Sequence, residues 1–144
     1  MDRREMLGSM GALAMAAVAA QASAADHDHH HHHGAKNQAL VDSASDCVKT
    51  GEACINHCLD LLAQGDKEMA ACAKSVNEML AVCAALQRLA TTDSKFLPKY
   101  AKLAGEVCDA CEKECRKHEK KHAECKACAD SCAVCLKECK KIAV

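Results

Sequence analysis

The chain has 144 residues, a net charge of −1 and an aromatic content of 1%; that is the length of one domain, and the charge and aromatics argue against a nucleic-acid binder. Thirteen cysteines in so short a chain mark a metal site or a cysteine-built scaffold, and an odd count cannot all pair within one chain. The 50% hydrophobic content is dominated by 29 Ala and 13 Cys, so an ordinary apolar core is thin, strand formers are too scarce for an all-β fold, and no unbroken apolar run reaches the roughly 18 residues of a membrane span.

Residues 1–24 read as an export signal. Arg3-Arg4 precedes an apolar stretch, Leu7 to Ala20, and Ala20-Gln21-Ala22 and Ala22-Ser23-Ala24 are both A-x-A cleavage sites. The segment resembles a twin-arginine signal, with Asp2-Arg3-Arg4-Glu5-Met6-Leu7-Gly8 in place of the family's S/T-R-R-x-F-L-K; a general secretory signal is the alternative. The twin-arginine route carries folded proteins, which lets thiols fold and load metal in a reducing cytosol before they meet an oxidising space. Exported that way, the mature chain of about residues 25–144 belongs in the periplasm or an internal-membrane lumen, with no membrane span.

Residues 25–35 form a His-rich tract, expected to be disordered. Asp26 to His33 reads D-H-D-H-H-H-H-H, either an expression tag or, from its place just past the cleavage site, a native metal-binding tract. Cleavage after Ala24 would leave Ala25-Asp26-His27, whose amine, amides and imidazole suit a square-planar Cu(II) or Ni(II) site.

Residues 36–144 read as four helical segments. The first runs from about Lys36 to Gln64 and stops at Gly65, a C-terminal signal. The second starts at Asp66, an N-cap with Glu68 in its first turn, and runs to about Ala90. Thr91-Thr92-Asp93-Ser94 is a polar connector, with Ser94 or Asp93 as the next cap. The third runs from about Lys95 to Lys121, with Pro98 in its first turn, and the fourth from about Ala123 to Ile142. Short connectors between four such segments predict an all-α fold, an antiparallel four-helix bundle with a cysteine-lined core.

At 100° per residue the cysteines fall on stripes. Cys125, Cys128, Cys132, Cys135 and Cys139 share one face about 80° wide, where a bundle normally places Leu. Segment three repeats the 3-4-3-4 spacing with Cys108, Cys111, Cys115, His118 and His122. Cys47, Cys54 and Cys58 lie within about 40° of one another, and Cys72 and Cys83 within about 20°, with Met79 between them and Met69 close by. Cysteine can serve as a small buried hydrophobe, but that accounts for one or two positions and not for thirteen on the inward faces of four helices.

Sulfurs at i and i+3 or i+4 project to one side of adjacent turns and can grip one soft ion between them. Thiolate and thioether ligands select Cu(I), Zn(II) or iron–sulfur clusters. Cu(I) fits best: two sulfurs satisfy it, and bridging sulfurs bring capacity towards one ion per cysteine, or roughly 10–13 Cu(I) per chain. A monovalent ion per thiolate also neutralises the core. Zinc in a metallothionein-like detoxification buffer is the alternative, but it takes about four thiolates per ion. No ferredoxin cysteine run occurs, a thioredoxin-like CxxC lacks its βαβ context, and a disulfide-based redox protein leaves the odd count and the full stripes unexplained. No phosphate loop, Ser–His–Asp set or paired catalytic carboxylates stand out, so an enzyme is not expected. His57, His118 and His122 are auxiliary ligand candidates near helix ends, with a solvated surface as the plainer role; Met69 and Met79 are thioether candidates at the mouth of the bundle, with core filler as the plainer role.

Taken together, the runs Cys108–Cys115 and Cys125–Cys139, the Cys54/Cys58 step and the twin-arginine signal resemble the copper storage proteins, specifically the exported type of methane-oxidising bacteria, over about residues 36–144. The resemblance implies a homotetramer of bundles, each holding many Cu(I) ions in its core on cysteine ligands. It further implies that His57 and the methionines act near one open end, and that the stored copper supplies a copper-dependent oxidase.

Overall fold

The computed structural model describes residues 36–143. The expected export signal and the expected His-rich tract, residues 1–24 and 25–35, lie outside the described residues.

Ala, Leu, Lys and Glu, all good helix formers, fill four helices: α1 Gln38–Ala63, α2 Ala70–Thr91, α3 Leu97–Arg116 and α4 Ala123–Ile142. Gly65 ends α1 as its sequence context predicts. At φ +95° it lets the Gly65 amide reach the Leu62 carbonyl (3.0 Å) and the Asp66 amide reach that of Leu61 (3.0 Å), which satisfies two orphan acceptors. Asp66 caps as expected, accepting from the Glu68 amide at 3.1 Å. What it caps is a single 3₁₀ turn, Lys67–Met69, and α2 proper follows at Ala70.

Asp93 closes α2 in the same way as Gly65 closes α1. At φ 45° its amide donates to Ala90 and that of Ser94 to Leu89. A non-glycine residue in this region is held by side chains: Asn37 Nδ2 donates to Asp93 Oδ1 (3.2 Å) and to the Ala90 carbonyl (3.3 Å). Ser94 then opens α3, its hydroxyl accepting from the Phe96 amide at 3.3 Å and Pro98 lying in the first turn.

The third helix is shorter than its sequence predicts. It stops at Arg116 instead of near Lys121, and residues 117–121 are turn. Nothing in Lys117-His118-Glu119-Lys120-Lys121 forbids helix. The stop is made by a long-range contact: the Arg116 guanidinium bridges Glu119 and Asp130 of α4, both at 2.7 Å, and reaches Glu112 at 3.2 Å. The His118 amide tightens onto the Cys115 carbonyl at 3.0 Å, and the chain turns back.

Each helix packs on its neighbours in the chain and α1 packs on α4, which closes a four-cornered ring. Polar clasps cross the seams: Thr50 to Ser131 hydroxyls at 2.6 Å, Gln87 Nε2 to Ser45 Oγ at 2.7 Å, and Tyr100 OH to the Val82 carbonyl at 3.3 Å. The segment Lys67–Thr91 is long and apolar enough to cross a bilayer by length and composition; averaged hydropathy passes where an unbroken run does not, because Lys74, Glu78 and Arg88 interrupt it. In the bundle its stripe of Cys72, Val76, Met79, Cys83 and Leu86 is buried.

The core has two parts. All thirteen cysteines are buried, and they run along most of the ring's length. Beyond them, where α1 and α3 begin and α2 ends, Leu40, Ala44, Leu86, Ala90, Leu97, Ala101 and Ala104 form an apolar plug. Full burial of a Leu contributes about 1.5–3 kcal/mol, so this end supplies conventional folding energy that small thiols supply less of.

Candidate metal centre

The helices turn the stripes inward and set them at matching heights. Cys47, Cys83, Cys108 and Cys135, one from each helix, bring their sulfurs within 4.8 Å of one another. Toward the α3–α4 turn, Cys54, Cys58, Cys72 and Cys125 form a second such group. Between them lie Cys54 with Cys115 and Cys128, and Cys111 with Cys128 and Cys132. That Cys47 meets Cys83 while Cys54 meets Cys72 shows α1 and α2 to be antiparallel; Cys108 with Cys135 and Cys115 with Cys128 do the same for α3 and α4.

The sulfur–sulfur hydrogen bonds are Cys72–Cys115 and Cys83–Cys108, both 3.6 Å, then Cys54–Cys125 at 3.8 Å, and Cys111 with Cys115 and with Cys128 at 4.0 Å. These are thiol contacts, well beyond the ~2.05 Å of a disulfide, and all thirteen side chains are free. Two groups share Cys54 and two share Cys128, so three of the four groups form one connected array of eight sulfurs, with the group Cys47, Cys83, Cys108 and Cys135 beside it.

The array biases its own protons. Hydrogen bonds from Cys108 and Cys132 hold Cys47 down, at about 5, and one from Cys115 holds Cys72 at about 4. The other partners go up: Cys83 through its bond to Cys108 and then burial, and Cys132 through Cys108, Cys111 and burial. A thiolate here is stabilised by a neighbour that keeps its proton, so full ionisation of the core needs cations to replace the protons.

The non-cysteine candidates divide. His122 is not on the α3 stripe; the early end of α3 puts it in extended conformation as the residue before α4. There its Nδ1 lies 2.9 Å from Nε2 of His57, and Glu124 Oε2 lies 3.8 Å from the same His57 nitrogen. His118 is likewise off the stripe, in the turn, with its ring centroid 6.5 Å from that of His122. The three histidines thus gather at the end of the bundle where Cys58 and Cys125 lie. Sequence spacing passes over Glu124, because only the turn brings it to His57.

Met69 and Met79 are both buried. Met69 sits in the 3₁₀ turn at the histidine end. Met79 does not sit at the mouth: it lies midway along α2, packed against α1 at Gly51, where a built Cβ would be 2.6 Å from its Cε.

A core of thirteen buried free thiols, twelve of them in groups of three and four, on a four-helix ring, has counterparts among known proteins. The family model described as "Csp: Copper storage protein" matches residues 31–144. The chain belongs to the copper storage protein family. Solved relatives agree: the Cu(I)-bound copper storage protein BsCsp3 has a TM-score of 0.68 and 30% identity over 75% of this chain and 98% of its own. The apo form of copper storage protein 3 from Bacillus subtilis has a TM-score of 0.66, also at 30% identity, over 75% and 99%. A curated relative, the uncharacterized cysteine-rich protein YhjQ of Bacillus subtilis strain 168, is 31% identical over 107 residues, 74% of this chain and 95% of its own. Membership makes copper storage the function of this chain and Cu(I) its cargo, and the clustered thiols are groups able to bind several metal ions.

Proposed function

We propose that this chain stores copper as roughly 10–13 Cu(I) ions, held on bridging thiolates of Cys47, Cys54, Cys58, Cys72, Cys83, Cys108, Cys111, Cys115, Cys125, Cys128, Cys132, Cys135 and Cys139. The sharing of Cys54 and Cys128 between sulfur groups carries the number. Isolated zinc sites would each want four thiolates of their own, whereas two-coordinate Cu(I) needs sulfurs that serve two ions. Each Cu(I) that enters replaces a thiol proton, so the core stays near neutral as it fills. His57, His118, His122 and Met69 serve as auxiliary ligands at the polar end of the array, and Met79 offers a thioether in its middle. Storage involves no bond-making in a substrate, so no catalytic role is included.

The same reading takes in export by the twin-arginine route to the periplasm or an internal-membrane lumen, assembly as a homotetramer, and supply of copper to a copper enzyme. The pair Arg3-Arg4 supports the export route and the family's storage role the supply step; the tetramer is what the resemblance to the exported type implies. The test of the core reading is anaerobic titration of the reduced chain with Cu(I) against a strong coloured Cu(I) chelator. The chelator should stay colourless until roughly 10–13 ions per chain are bound. Saturation at one or two ions would sink it, and about three tightly held Zn(II) with weak Cu(I) binding would favour the metallothionein-like buffer.

A further inference from the structure

Cys139 stands apart from the other thiols. It belongs to none of the groups whose sulfurs lie within 4.8 Å of one another, and it is one helical turn beyond Cys135, which does. It is also the cysteine beneath a surface groove of about 350 Å³ between α3 and α4. The groove exists because α3 presents Ala101 and Gly105 there: a Cβ on Gly105 would meet the Cys139 Cβ and Leu136 Cδ1 at 3.4 Å each. Only this thin layer separates the end of the thiol array from solvent on the side of the bundle.

The rim is charged and only partly matched: Asp109 is held by Lys113 at 2.6 Å. Lys102 and Lys140 on one hand and Glu106 on the other line the groove and make no ion pair among the described residues. A cavity of this size takes a small molecule. Two unpaired cations and one unpaired anion around an apolar floor ask for a ligand with carboxylates and an ammonium group, and a buried thiol beneath asks for a soft donor.

We propose that this groove docks a small zwitterionic thiol of the glutathione class, which draws Cu(I) from Cys139 through the side of the bundle. The proposal rests on the storage reading above. The docked S–H gives its proton to the Cys139 sulfur as its own sulfur takes over the bond to copper. One Cu–S bond breaks and one forms, which leaves the ion on the docked sulfur and its second protein thiolate; a second thiol repeats the exchange at that thiolate and carries the ion away, the metal stays Cu(I) throughout, and no oxidant or reductant is needed. Cys135 then refills Cys139 from the group of four behind it.

The test uses the full chain, loaded with Cu(I) under anaerobic conditions, and follows release to a coloured chelator with and without reduced glutathione. Glutathione should speed release with saturation, and neutral 2-mercaptoethanol at equal concentration should not reproduce this. The double variant Lys102→Glu, Lys140→Glu, both exposed positions, should cut the acceleration about fivefold, the size of two exposed ion pairs, with capacity and unassisted release unchanged. Cys139→Ser should abolish it. Equal acceleration by the two thiols, or full acceleration in the double variant, would overturn the groove as a docking site. A chain that never loads beyond one or two ions would instead overturn storage itself, so the two failures are distinguishable.

Discussion

The two ends of the bundle are built from the same kind of helix but solve opposite problems. At one end Leu40, Leu86 and Leu97 meet over Ala44, Ala90 and Ala101, a dry apolar contact that stabilises the fold and offers copper nothing. At the other, Cys58 and Cys125 lie under His57, His122 and Glu124, with His57 and His122 joined at 2.9 Å, a polar cover of donor atoms. Folding energy is concentrated at the apolar end, which lets the other end keep donor groups that a folding core would replace with Leu. The apolar plug does not depend on the thiols, so the ring should stay assembled when they are empty.

Copper itself should have the largest effect on this contrast. A site bound only in the folded chain adds RT ln(1 + [L]/Kd), about 4 kcal/mol at a thousandfold excess over Kd, so thermal unfolding should move up sharply on loading. The reduced, metal-free chain should still give a helical circular dichroism spectrum; a coil spectrum would show that the apolar end is too weak to hold the ring.

Next in size is truncation at each end. Leu86→Ala should lower the unfolding free energy of the metal-free chain by about 3 kcal/mol and leave copper capacity intact. Cys58→Ala should do the reverse, costing under about 1 kcal/mol of metal-free stability while losing capacity in the Cu(I) titration. Equal stability losses would erase the division between the ends.

Between the two ends lies a packing test. Gly51→Val should cost about 1–3 kcal/mol, because its Cβ would come within 2.6 Å of Met79 Cε and 2.8 Å of Leu80 Cδ2. Gly105→Ala, at 3.4 Å from its neighbours, should be neutral or gain up to about 1 kcal/mol from helix propensity. Urea unfolding of both variants reads the difference.

The smallest effect belongs to the turn at the histidine end. Lys126, then Arg116, beside Asp130 hold its carboxyl below the usual carboxylate range. With the folded pKa below the unfolded value near ~3.9, the stabilisation is fully present above that pH. It is lost as pH falls through the depressed folded value. Asp130→Asn should remove this acid-side dependence, lower stability slightly at neutral pH, and do so less in high salt, since the groups are a third to a little over half exposed.

Much of the site was legible because helix geometry is periodic. Ten cysteines at three- and four-residue steps, with Cys47 seven before Cys54 and Cys72 and Cys83 eleven apart, can only form stripes, and a bundle has one place to put them. Gly65 and Asp66 punctuated the chain by their own chemistry. The length of α3 was not legible, since residues 117–121 carry adequate helix propensity and are stopped by Arg116 reaching Asp130, fourteen positions away. His118 and His122 were misplaced for that reason. The averaged apolarity of Lys67–Thr91 also escaped a reading based on unbroken runs. Met79 could not be told from a mouth ligand until its contact with Gly51 placed it mid-helix.

The sequence by itself thus determined which atoms the core would offer and which face of each helix would carry them, because spacing along a helix is a local property. It also determined the preference for a soft monovalent ion, because donor chemistry travels with the residue type. Only the tertiary structure decided which sulfurs from different helices share a group, which end is closed by Leu and which by His, and that Cys139 lies beneath a groove. Those facts depend on the relative heights of four helices, and heights are set by turns and cross-helix contacts between residues far apart in the chain.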